Sequence, residues 1–216
     1  MKDKTFRNKK NVKDTLKVFK IVIETLNKYE IKYYLDFGTL LGIVRDNALI
    51  PWDNDIDISL YDENDYSKIK DVLKEIKQKY HYRTYLFTFN SSRKVREKKK
   101  RPIYVKKVSF TNDENYQIAK IRNNKFWIFG RGNVNIDIFF KYEYLHRSYW
   151  FALGQENSVP LEYISSELQE IEFYGIKCKI PKEYDKYLTY KYGNWKVANE
   201  EWSHEKDDYS VDTKEK

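Results

Sequence analysis

Cysteine is nearly absent from this chain, where Cys178 stands alone among 216 residues. No disulfide can form within it, and no thiolate cluster can hold zinc. Histidine is almost as scarce. His81, His146 and His204 are scattered along the sequence and do not suggest an imidazole metal site. Metal chemistry would therefore fall to carboxylates, whose oxygens suit hard cations such as Mg²⁺ or Mn²⁺. Long apolar runs are also missing. With no stretch of about 18 apolar residues, no transmembrane helix is expected. The basic, polar opening residues 1–14 contain nothing like a signal-peptide core. These absences predict a reducing, cytoplasmic setting.

What is present is charge and aromatic surface. Charged residues make up 34% of the chain and hydrophobic ones 41%, a balance that reads as globular rather than disordered. Twenty Tyr and twelve Phe predict a core that is largely aromatic. The net charge of +8 attracts anions, whether nucleotide phosphates, nucleic acid or an anionic membrane touched peripherally. No repeat and no Pro/Gly/Ser-rich linker divides the sequence. The expectation is one domain over residues 11–200, a basic segment 1–10 before it and a disordered polar tail 201–216 after it.

Periodicity gives the elements. Leu16, Phe19, Val22, Ile23 and Leu26 recur at helical spacing within residues 11–29. A strand at 33–37 leads through a glycine turn into a short helix carrying Leu40, Leu41, Val44 and Arg45. Alternation over 55–61 predicts a strand, and Asp62 caps a helix reaching about residue 79. Further strands are expected at 82–89, 103–110, 117–122 and 134–142. A tight hairpin pairs 170–174 with 176–180 around Gly175, and Pro181 opens a last helix through residue 190. The class is α+β, with helices packed on a mixed or antiparallel sheet.

The densest chemistry lies in Gly38-Thr39 and in Trp52-Asp53-Asn54-Asp55-Ile56-Asp57-Ile58. Alternate strand residues share a face, so Asp55 and Asp57 stand side by side while Ile56 and Ile58 face the core. Two such carboxylates repel unless a cation lies between them or one takes a proton. A divalent ion resolves the conflict and can also bridge phosphate oxygens. Asp137 recurs in an Ile-Asp-Ile-Phe setting. It completes a three-carboxylate cluster if its strand pairs beside Asp55 and Asp57; otherwise it is a salt-bridged structural aspartate. Gly38-Thr39 at a helix start offers N–H groups and a hydroxyl to an anion. Arg45 is the candidate to neutralise phosphate, with a surface ion pair as its alternative.

These residues resemble the LicD family, whose relatives include fukutin and fukutin-related protein. Leu35-Asp36-Phe37-Gly38-Thr39-Leu40-Leu41-Gly42-Ile43-Val44-Arg45 followed by Ile50-Pro51-Trp52-Asp53-Asn54-Asp55-Ile56-Asp57-Ile58 is similar to its signature almost letter for letter. Asn54 departs from it, since the family usually has a third consecutive Asp there. Phe173-Tyr174-Gly175, Ile180-Pro181, Tyr187-Leu188 and Tyr192-Gly193-Asn194-Trp195 give a second, looser match. The resemblance implies a nucleotidyltransferase-like mixed sheet with flanking helices. It also implies Mg²⁺- or Mn²⁺-dependent transfer of a phosphoalcohol, such as phosphocholine or ribitol phosphate. The donor would be CDP-linked and the acceptor a sugar hydroxyl on a glycan or glycolipid, as in lipopolysaccharide biosynthesis. Asp55 and Asp57 would hold the metal, Asp137 would share it or take the acceptor proton, and Asp53 would orient the loop.

Other signals weigh less. The basic run Arg93-Lys94-Val95-Arg96-Glu97-Lys98-Lys99-Lys100-Arg101 reads as a solvated loop, although it could hold an anion. Gly130-Arg131-Gly132 reads as a hairpin turn. Trp52, Trp195 and Cys178 read as packing. Two rivals remain. One is a nucleotidyltransferase that adds a nucleoside monophosphate to a small molecule or RNA end with the same acids. The other is a non-catalytic nucleic-acid-binding protein. No reading motif for nucleic acid is present, and no stable nucleic-acid partner is expected.

Overall fold

The computed structural model describes residues 4–101, 111–126, 129–165 and 167–211. The chain opens with α1 (Lys9–Lys28), capped by the Asn8 side chain, which accepts from the Lys10 N–H at 2.9 Å. Its buried stripe is Val18, Phe19, Val22, Ile23 and Leu26. The short strand β1 (Tyr33–Leu35) follows, then α2 (Phe37–Asp46), which Asn47 ends in the left-handed conformation. Next come β2 (Ile56–Leu60) and a 3-10 turn (Glu63–Lys68) capped by Asp62, which runs into α3 (Ile69–Tyr80). Strand β3 (Arg83–Thr88), helix α4 (Phe89–Lys98) and the long strands β4 (Tyr116–Phe126) and β5 (Phe129–Phe140) complete the central unit.

The five strands form one sheet in the order β1-β2-β5-β4-β3. Within it β2 and β5 run parallel, while the other neighbours are antiparallel. Ile56, Ile58, Ile136 and Ile138 are all fully buried. The largest buried side chains include Tyr33, Tyr34, Tyr187, Phe19, Phe140 and Phe173, so the core is as aromatic as the composition predicts. The architecture is α+β on a mixed sheet.

A second layer of small elements follows. Strands β6 (Tyr142–Tyr144), β7 (Arg147–Ala152) and β8 (Gln155–Pro160) form a meander, and α5 (Glu162–Ser165) leads to the hairpin of β9 (Leu168–Phe173) and β10 (Ile176–Pro181). Tyr174 and Gly175 make the hairpin's two-residue turn with φ of 50° and 74°, a conformation that favours glycine at the second place. The last described helices are α6 (Tyr184–Tyr192) and the single turn α7 (His204–Asp207).

Four expectations need correction. The basic run is a helix over most of its length, because Thr88 and Ser91 cap α4 reciprocally, each side chain reaching the other's backbone. Gly130, Arg131 and Gly132 belong to β5 rather than to a turn. Pro181 ends β10, and α6 begins three residues later. Residues 203–211 are not a loose tail: Asp208, Ser210 and Val211 are buried, and Val211 bridges to Asn157. The expected strand 103–110 lies outside the described residues.

Candidate functional site

Register brings the acids together. In the parallel pair β2–β5, Asp57 lies directly opposite Asp137, and on the far side of β5 Lys120 lies opposite Asp137 in β4. Asp55 precedes β2 by one residue. Asp53, Asp55 and Asp57 are close enough to one another to interact electrostatically. All four carboxylates line one cavity of about 1020 Å³.

Asp55, Asp57 and Asp137 sit in different electrostatic surroundings. Burial, then Asp53 and Asp137, push the Asp55 carboxyl well above the usual carboxylate range, with Arg122 pulling the other way. Burial, then Asp55, Asp53 and Asp137, do the same to Asp57. Asp137, in contrast, is ion-paired on one oxygen with Lys120 and on the other with Arg122. Both sequence alternatives for Asp137 thus hold at once, since it joins the acid cluster and is salt-bridged within it.

That pairing bears on the expected metal set. Among the described residues, no three carboxylate, imidazole or thiol groups are arranged to hold a metal ion by themselves. The expected triad is incomplete as it stands because Lys120 and Arg122 engage both oxygens of Asp137. Asp55 and Asp57 nevertheless fit a hard dication, being adjacent, oxygen-only and short of positive charge. Mg²⁺ commonly takes one or two carboxylates and completes its shell with water and substrate phosphate.

Gly38, expected in a turn before the helix, lies instead in the first turn of α2. Gly38 and Asp53 pack so closely that a Cβ on residue 38 would lie 2.5 Å from the Asp53 carboxylate. Asp53 also folds back to accept from the Asn54 N–H at 2.8 Å. Thr39, expected to meet an anion, is instead buried with its hydroxyl accepting from the Asp57 N–H at 2.9 Å. It ties α2 to β2 and does not line the cavity. The start of α2 is likewise occupied from within: Asp36 caps it, accepting from the Phe37 N–H at 2.7 Å.

Asp36 is a buried node whose role sequence reasoning missed. Its carboxylate also accepts from Ser59 Oγ at 2.6 Å and from the Tyr187 hydroxyl at 2.5 Å, and it pairs with Lys141 at 2.9 Å. Its own N–H donates to the Asp57 carbonyl at 3.0 Å. Burial outweighs Asp36 at Lys141 and brings that ammonium down to about 8. Phe37 follows the cap with φ of +47°, an unusual conformation for a bulky residue. Packing holds it there, with Phe139 edge-on at 4.9 Å, Trp150 at 5.5 Å, and the Lys141 and Lys191 ammoniums over its ring at 4.5 and 4.8 Å.

Cations and aromatics also line the cavity. Arg45 lines the cavity and pairs with its neighbour Asp46 at 2.6 Å, its guanidinium 6.0 Å from the Trp52 ring. Trp52 lines it beside Arg45, and Trp195, though buried, lines it as well. Lys191 lines it too, fastened at 2.5 Å to buried Asp208. Trp202 and Tyr209 of the C-terminal segment also face it. Helix α4 contributes Ser92, Val95 and Arg96, and Arg101 follows just beyond it. Cys178 is a packing residue, its thiol raised to about 12 by burial.

One missed signal was available in the sequence. Lys120 and Arg122 are spaced i,i+2 in an alternating strand, the basic counterpart of Asp55 and Asp57. The two pairs share the sheet and meet at Asp137.

Comparison with known proteins gives the family. An uncharacterized protein of Rickettsia typhi is 42% identical over 55 residues, covering 26% of this chain and 18% of that protein. An uncharacterized protein of Rickettsia prowazekii is 35% identical over 72 residues, or 33% of this chain and 27% of its own length. The lipopolysaccharide cholinephosphotransferase LicD of Haemophilus influenzae is 42% identical over 45 residues, 21% of this chain and 17% of that enzyme. These matches thus span about a quarter or less of each relative's length. Residues 30–183, well over half of the chain, match the LicD/FKTN/FKRP nucleotidyltransferase domain, and the protein belongs to that family.

Proposed function

We propose that this protein is a divalent-metal-dependent transferase that moves a phosphoalcohol group from a CDP-activated donor to a sugar hydroxyl of a glycan or glycolipid. The observation that carries the reading is the pair Asp55 and Asp57, crowded by other acids on the wall of a cavity that also holds Arg45 and Lys191. Mg²⁺ or Mn²⁺ held by Asp55 and Asp57 would neutralise donor phosphate oxygens during transfer. Phosphoryl transfer depends mainly on positioning and charge neutralisation, and this chain supplies both. Gly38 leaves room for Asp53, which shapes the loop before Asp55. Asp36 fixes α2 against β2 and so sets the height of Asp57. Arg45 adds positive charge at the Trp52 wall. The Haemophilus relative is a lipopolysaccharide cholinephosphotransferase, which is consistent with this class of reaction.

The test is product analysis. The protein, supplied with Mg²⁺ and a panel of CDP-linked alcohols, should release CMP, faster when a sugar acceptor is added. Release of pyrophosphate from a nucleoside triphosphate, with no CMP from the panel, would instead support nucleotidyl transfer to a small molecule or RNA end.

A further inference from the structure

The two cations on Asp137 are held differently. Arg122 donates from one guanidinium nitrogen to the carbonyls of Ile121 and Ile136, each at 2.9 Å, and from another to Asp137. It is fastened to the backbone as well as to the acid. Lys120 has Asp137 as its one hydrogen-bond partner among the described residues. Its side chain is 31% exposed and lines the cavity. A lysine stem rotates freely about its single bonds and carries a compact charge, so little besides Asp137 keeps this ammonium in place.

Its position makes that freedom matter. Lys120, Asp137 and Asp57 occupy one row across β4, β5 and β2. A cation held by Asp55 and Asp57 that also drew on the Asp137 carboxylate would compete with the Lys120 ammonium for that acid's negative charge. Arg122 would stay, held by its two carbonyls.

We propose that Lys120 is the resident counter-ion of Asp137, displaced when a divalent cation enters, and that its freed ammonium then contacts the donor's diphosphate. The inference rests on the metal-dependent reading above and adds an order to it. Before metal binds, Lys120 is engaged with Asp137; afterwards it is a phosphate-binding group within the same cavity.

The test uses Mn²⁺ titrations followed by electron paramagnetic resonance on the full chain, with no turnover required. Lys120→Met removes the competitor, and Mn²⁺ should bind on the order of five- to tenfold tighter than in the wild type. Lys120→Arg should bind Mn²⁺ more weakly than the wild type, because a guanidinium can grip the carboxylate with two parallel bonds. With Mn²⁺ saturating, Lys120→Met should bind cytidine diphosphate about tenfold more weakly. Equal or weaker Mn²⁺ binding in Lys120→Met would overturn displacement, and unchanged cytidine diphosphate affinity would overturn the contact with phosphate. A wild type that binds no Mn²⁺ at all would bring down the metal-dependent reading itself, a result distinct from either of those.

Discussion

Asp57 and Asp137 face each other across the parallel strand pair of the five-stranded sheet, at the same level, yet one is crowded by acids and the other is held by two bases. In an antiparallel neighbour pair, the chain could bring two such strands together with a short turn. A parallel pair needs a crossover, here the long path through α3, β3, α4 and β4. Acids distant in sequence thus meet where the start of β2 lies beside the later part of β5, on a face opposite a fully buried isoleucine layer.

Exchanging either Asp55 or Asp57 for Asn should lower turnover by more than about 100-fold, since even groups that merely support metal ligands cost about 10- to 100-fold. The apo protein should not lose stability. Folded-state carboxyls raised above their unfolded value of 3.8 carry a penalty that is absent at low pH and complete once the pH exceeds the raised value. Asn removes that penalty, so at pH 7 each variant should melt at or above the wild-type temperature. Near wild-type activity in either variant would show that the metal lies elsewhere.

Metal itself should stabilise the wild type and not the Asp55→Asn/Asp57→Asn double variant. A ligand present at about 100 times its dissociation constant adds about 2.7 kcal/mol when it binds only the folded state. For a domain of this size that is a melting shift of roughly 5–10 °C. Differential scanning fluorimetry with Mg²⁺ and Mn²⁺ reads it directly. Equal shifts in both proteins would mean ions acting non-specifically.

The acid site was legible in the sequence for a physical reason. Period-two alternation fixes which side chains of a strand share a face, so spacing alone sets Asp55 beside Asp57 and singles out Asp137 in its own apolar strand. Alternation does not say which strands are neighbours, and for that reason Lys120 and Arg122 went unplaced although they obey the same spacing. The β6–β8 meander was invisible for another reason. Its turns use Leu145-His146 and Leu153-Gly154, with positive φ at all four positions, and lack the Asn-Gly or Asp-Gly pairs that announce such turns. The C-terminal segment looked disordered because its anchors, Asp208 and Ser210, are polar. Their partner Lys191 lies on α6, too far back to be read as a pair.

That anchor gives a stability prediction. Lys191 and Asp208 are both almost fully buried and 2.5 Å apart, with Ser210 and His204 beside the carboxylate. Burial raises the Asp208 carboxyl, but Lys191 and Ser210 together outweigh it and leave it below the usual range. Lys191→Met strands a buried anion and should cost about 3–5 kcal/mol in urea unfolding, while Lys191→Met/Asp208→Leu should recover much of that. In the wild type this contribution is present above the unfolded carboxyl value and fades as pH falls through the lower folded one. A single variant as stable as the double would refute the pairing.

Helix α4 and the three residues after it offer the sharpest separation between a solvated basic run and a working one, because their charges divide by position. Arg96 and Arg101 line the cavity, whereas Lys98, Lys99 and Lys100 are exposed and do not. If α4 serves an anionic substrate, Arg96→Gln/Arg101→Gln should weaken it and flatten the salt dependence of its binding, since fewer fixed charges are left for salt to screen. Lys98→Gln/Lys99→Gln/Lys100→Gln removes more charge from the same segment and should leave substrate affinity within about twofold, because these charges are exposed to solvent and do not line the cavity. Neither set touches Asp55 or Asp57, so the Mn²⁺ affinity of both variants should match the wild type. Isothermal titration with a CDP-linked donor at two salt concentrations separates the outcomes. Equal losses in the two variants would mean that the run acts only through its bulk charge, and no loss in either would return it to the solvated surface that its sequence suggests.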